Sequence, residues 1–216
     1  MTELNFEIAV RNESRLDDSD VVNAVQVVDR QMRYDFSPAW GRNAFVEFDQ
    51  EPEGRDWVIN IVDQPTIRGA AGWHSIDRNG RVISEVAVNS GLPWTVVLSH
   101  EVLESAANES VSKFVLNRRD LHLYALEVCD PVQRVTYRKD GVEISDFVKP
   151  EWFAADASVT DTAHITKRLR PFALARGGYI PRWTQNWQDA TIGATAVEQH
   201  ARLEWLDPTG SLMLGE

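Results

Sequence analysis

The chain has 216 residues, a formal net charge of −11 and a sequence pI near 4.9. With 22 Lys and Arg against 33 Asp and Glu, it lacks the dense basic surface that neutralises phosphates, so no nucleic-acid partner is expected; "NRRD" and "TKRLR" read as short solvated faces. The single cysteine, Cys129, excludes an internal disulfide, and 43% hydrophobic residues over this length can bury a core without staples.

In chain order, "MTELNFEIAV" has no basic leader and no long apolar run, so neither a signal peptide nor a membrane span is expected. The location expected is the cytoplasm, or a virion if the chain is phage-encoded. "LNFEIAVRN" reads as a first strand. Ser19 or Asp20 can cap a helix that begins at Val21, because Val21, Val22, Val25, Val28 and Met32 recur at helical spacing. Pro38 and Gly41 in "DFSPAWG" should end it. "NAFVEFDQ" is a second strand with Ala44, Val46 and Phe48 on one face. "DWVINIVDQ" is a third, apolar enough to be central in its sheet. Two extended pieces flank "RNG", a good hairpin turn.

"WTVVLSHEVLESAANES" (Trp94 to Ser110) follows as a second helix. After it come "LHLYALEVCDPV", a hairpin turning at Asp140-Gly141, an aromatic loop "KPEWFAAD", and a tail rich in Gly, Pro, Trp and Thr that ends in a short helical piece near "AVEQHARLEW". The fold class expected is α+β, with a mixed sheet, an N-terminal helix and a second helix of active-site type. The expected division is an α+β domain over residues 1–150 and an irregular Trp/Gly/Pro-rich part over 151–216. That part either packs on the domain or docks to partners, with Trp152, Trp183 and Trp187 as its aromatics.

The second helix carries the chemistry. On a helix, positions i and i+4 share one face, so His100 and Glu104 can grip one metal ion. Glu101 sits next door, rotated by about 100°, where the H-E-x-x-H arrangement keeps a carboxylate that activates water and does not bind metal. A third ligand must come from downstream. Glu127 and Asp130 in "LEVCDPV" are the candidates, one as ligand and the other orienting His100. His122 is an alternative ligand, and His74 lies on the extended piece before the helix, where it can face a substrate cleft. The same acids next to Cys129 would raise its pKa, so Cys129 reads as a buried or half-buried thiol more than as a nucleophile. The opposing reading is a solvated acidic helix face capped by Ser99. The apolar approach "WTVVLS" argues against it, since buried carboxylates need a partner or a metal.

On "SHEVLE" and the element order before it, the chain resembles the zincin metallopeptidases. That resemblance implies a mixed sheet whose edge strand precedes the active-site helix, and a C-terminal part supplying the third ligand. In thermolysin-like members this ligand is a Glu with an Asp close after it, which Glu127 and Asp130 match loosely. The chain also resembles a family of uncharacterised bacterial and phage-associated proteins sharing "FSPAWG", "SHEVLE", "LYALEVCDPV", "SDFVKPEWF" and "RGGY" in this order, from about Val21 to Tyr179. It departs from zincins at Glu104, where they have His. One imidazole with two carboxylates is a less zinc-selective donor set that also suits manganese, iron or calcium.

Two functions follow as expectations. One is a metal-dependent hydrolase, a zincin-like peptidase with a divalent cofactor, zinc first, acting on a peptide or protein. The other is a structural or interaction component of a phage or phage-like particle, assembling into a larger complex. Neither needs a membrane.

Overall fold

The structure, a computed structural model, describes residues 5–78, 80–154, 158–183 and 189–192. Trp187, His200 and the expected helical piece near "AVEQHARLEW" lie outside the described residues. The chain is mixed α+β and divides into two compact units. The first comprises Met1–Val111 and Thr136–Ser145, the second Ser112–Val135 and Asp146–Glu216. The chain thus leaves the first unit, returns for one hairpin and leaves again, whereas the sequence suggested one boundary at residue 150. Among the described residues, no helix is long and apolar enough to cross a membrane.

The first unit is built on a five-stranded sheet. Strand β1 (Asn5–Asn12) leads into helix α1 (Asp18–Gln31), which starts earlier than the Val21 expected from the valine pattern. Val21, Val25 and Val28 mark the buried face and Val22 is only half-buried, while Asp18 and Asp20 fill the exposed first turn, where negative charge suits the helix dipole. Asp17 occupies the N-cap, not Ser19 or Asp20. The helix does not stop before "FSPAWG". It widens into a π-turn over Met32–Phe36 and closes with a short helix, α2 (Ser37–Trp40), because Pro38 stands where a missing N–H is harmless. Gly41, in the left-handed region at φ 60°, ends it by returning its N–H to the Ser37 carbonyl.

Strands β2 (Asn43–Phe48), β3 (Trp57–Val62), β4 (Gly72–Ile76) and β5 (Val82–Ala87) complete the sheet in the order β2-β1-β3-β5-β4. All neighbours are parallel except β4, which pairs antiparallel with β5 and forms the edge. β3 is central, as its apolar sequence implied. Its alternating burial shows that only one face is deeply covered. Helix α1 packs over β2 and β1, and helix α3 (Trp94–Ala107) over β5 and β4.

Hairpin β8 (Thr136–Lys139) and β9 (Val142–Ser145) belongs to this unit and turns at Asp140-Gly141, both at positive φ, as the Asp-Gly pair predicts. Polar side chains fasten it. The Gln31 amide donates to the Ser145 carbonyl at 2.9 Å, the Thr95 hydroxyl to the Glu143 carbonyl at 2.8 Å, and the Ser145 N–H to Ser99 Oγ at 2.7 Å. Lys139 and the Tyr137 hydroxyl both reach Asp35 in the π-turn. Ser99 is therefore a buried tie in the middle of α3, not a cap.

The second unit carries the sheet β11-β10-β7-β6, from β6 (Phe114–Asn117), β7 (His122–Ala125), β10 (Ile180–Trp183) and β11 (Asp189–Ile192). Strand β6 is absent from the sequence reading: "FVLN" is short and flanked by polar residues, and only pairing with β7 makes it a strand. Aromatic side chains fill this unit. Trp152 is fully buried against Phe153 and Phe172 and donates its indole N–H to the Ala173 carbonyl. Trp183 meets Phe114 edge-on. Trp152 thus packs a core, one of the two roles open to the loop aromatics.

Candidate functional site

Helix α3 is buried from Val96 to Ala107, so its ionisable residues are largely withdrawn from bulk water. His100, Glu101 and Glu104 are 5%, 1% and 0% exposed. The solvated acidic face is therefore ruled out. His100 Nε2 lies 3.0 Å from Glu104 Oε2, so the i, i+4 pair points to one place as the helix geometry requires.

Glu101 faces the sheet edge. Its Oε2 is 2.8 Å from Nδ1 of His74 on β4, and His74 is also buried. With Glu101 ionised, the carboxylate only accepts and Nδ1 would carry the proton in this bond. One ligand atom each from His74, Glu101 and Glu104 can be chosen within 4.8 Å of one another. Two carboxylates this close in a water-poor interior need compensation from an imidazolium, a shared proton or a cation.

The helix comes so near the strand because β4 begins with Gly72. A Cβ there would lie 2.5 Å from Val97 Cγ1 and 2.6 Å from Glu101 Oε1. Strand periodicity puts Gly72 and His74 on the same face, toward α3. We expect Gly72→Ala to cost about 1–3 kcal/mol of stability by overpacking, read from denaturant unfolding. Adding Val97→Ala should recover part of the loss, because it removes the nearest obstructing methyl. No recovery would mean that Val97 is not the obstruction.

The two downstream acids belong to the second unit. Glu127 is half-buried in the segment after β7. Asp130 is fully buried at the head of a 3-10 turn, Asp130–Val132, and its carbonyl accepts the Tyr179 N–H at 3.0 Å. His122 opens β7, with its backbone N–H on Asp120 Oδ1 at 3.1 Å and its ring 3.4 Å from the same carboxylate. Asp120 also accepts the Tyr124 hydroxyl at 2.6 Å. Burial pushes Asp120 upward, but the bonds from Tyr124 and His122 outweigh it and hold the acid below the usual carboxylate range. His122 is thus part of a turn-stabilising group. Cys129 is buried, as its flanks suggested.

The His74–Glu101 contact is what residue patterns did not single out. Its sequence signal is weak: a Gly and a His two apart on a strand preceding the helix. Compared with protein-family models, curated proteins and solved structures, the chain matches none.

Proposed function

We propose that the chain is a metal-dependent hydrolase of zincin-like build, a peptidase, with its ion on α3 at His100 and Glu104. The observation that carries this reading is a set of four buried ionisable side chains linked through Glu104: it groups with His74 and Glu101 near the edge strand, and its carboxylate lies 3.0 Å from His100. The mixed sheet with an antiparallel edge strand ahead of the second helix agrees with the resemblance. The donor set suits a divalent cation: imidazole and carboxylate both ligate zinc, and the oxygen-rich surroundings extend the choice to manganese, iron or calcium.

His100 and Glu104 would hold the ion, which when bound supplies Lewis acidity toward a scissile carbonyl. Glu101 stands one residue along and turned away, where it takes a proton from the attacking water.

Elemental analysis of the purified, zinc-reconstituted chain tests this. The expected result is one divalent ion per chain, lost in His100→Ala and kept in Glu101→Gln. Turnover of a fluorogenic peptide mixture should fall about 10²- to 10⁴-fold in Glu101→Gln. Chelation should lower the melting temperature, because an ion bound only by the folded state stabilises it. A metal-free chain whose melting temperature ignores chelator would sink the proposal. The same measurement on Glu127→Ala and Asp130→Ala tests the third-ligand role expected from the sequence.

A further inference from the structure

We infer that His74 is a positioning residue: strand β4 aims the Glu101 carboxylate, through the His74 Nδ1–H bond on one oxygen and the bare Gly72 beside the other. This rests on the role given to Glu101 above. A carboxylate that takes a proton from water must be held in one orientation, since catalysis falls steeply with misplacement.

Helix α3 offers Glu101 poor support of its own. The neighbours one turn away are Val97, Leu98, Glu104 and Ser105. Two are apolar and one is a second carboxyl group. The fourth, Ser105, is buried with its hydroxyl lacking a hydrogen-bond partner among the described residues.

Strand β4 supplies what the helix lacks. His74 Nδ1 sits 2.8 Å from Oε2. Gly72, two residues earlier on the same face, leaves room for Oε1, which a Cβ would approach to 2.6 Å. Both groups are buried, so water competes little for the bond and its strength is kept. The strand itself is braced. Its His74 pairs with Ser84 of β5, and the Ser84 hydroxyl donates to the Trp73 carbonyl at 2.7 Å. The imidazole therefore has a fixed base from which to direct Glu101.

Three full-length proteins test this: the parent, His74→Leu, which removes the donor, and His74→Asn, whose amide N–H stands near the Nδ1 position. Each is reconstituted with zinc, assayed for metal, and assayed for kcat and KM on the fluorogenic peptide mixture. Long-range proton–nitrogen NMR of the parent and of Glu101→Ala reports the Nδ1 proton of His74.

The expected results are equal metal content in all three, with kcat about 10- to 100-fold lower in His74→Leu. KM should hold steady, and His74→Asn should recover most of kcat. The Nδ1 proton signal of His74 should move in Glu101→Ala. Loss of metal in His74→Leu would make His74 a ligand and overturn the positioning role. So would equal loss of kcat in both variants, or a His74 signal indifferent to Glu101→Ala. A parent that binds metal and turns over, with kcat untouched in His74→Leu, overturns this inference alone. A parent with neither metal nor turnover overturns the reading beneath it.

Discussion

Gly178→Ala should destabilise the protein by about 3 kcal/mol. An alanine Cβ at this position would lie 2.1 Å from the Pro131 carbonyl oxygen and 2.6 Å from its carbon. Those atoms are backbone, so no rotamer change relieves the contact. The neighbouring hydrogen bonds depend on the same approach: Ala175 N–H reaches the Pro131 carbonyl at 2.9 Å, and Tyr179 N–H the Asp130 carbonyl at 3.0 Å. The methyl pushes the "RGGY" segment off the "CDPV" turn and strains both bonds, within a unit whose Tyr179 and Ile180 are buried. Denaturant unfolding followed by tryptophan fluorescence measures the loss. A midpoint within error of the parent's would show that the two backbones can part at little cost.

Asp146→Ala is expected to cost about 3–5 kcal/mol, by a different mechanism. Asp146 is fully buried, and its two oxygens accept at least four hydrogen bonds. Oδ1 takes the N–H groups of Phe147 and Ile165, each within 2.9 Å. Oδ2 takes the Thr166 N–H at 2.9 Å and the Thr166 hydroxyl at 2.7 Å. This one carboxylate anchors the segment around Thr166 to the strand-like stretch that follows the hairpin. Alanine leaves three backbone N–H groups and a hydroxyl without their acceptor, and part of that penalty is desolvation already spent. Asp146→Asn keeps one acceptor oxygen and turns an amide donor toward Thr166, so it should fall between the parent and alanine. Equal stability of all three proteins would refute the anchoring role.

Both effects arise at strings singled out in the sequence, "EVCDPV", "SDFV" and "RGGY". Within the second unit, the first and third meet as backbone packing. "SDFV" contributes a hydrogen-bond hub. In this part of the chain the three strings take part in backbone packing and hydrogen bonding.

What the sequence determined by itself was local. Valines at helical spacing made α1, the apolar run "WVINIV" made a central strand, and Asp140-Gly141 made a hairpin turn, because each depends on nearby backbone preference and one-sided burial. Helix α3 was legible in the same way, and with it the shared direction of His100 and Glu104, since helical periodicity fixes where i and i+4 point. Long-range pairing was not legible. Only the tertiary structure made "FVLN" a strand, returned residues 136–145 to the first unit, turned Ser99 from a cap into an internal tie, and put His74 against Glu101. Each of those depends on which segments become neighbours. That choice follows from burying apolar faces together and satisfying buried polar groups across large separations in the chain, which no spacing within one segment records.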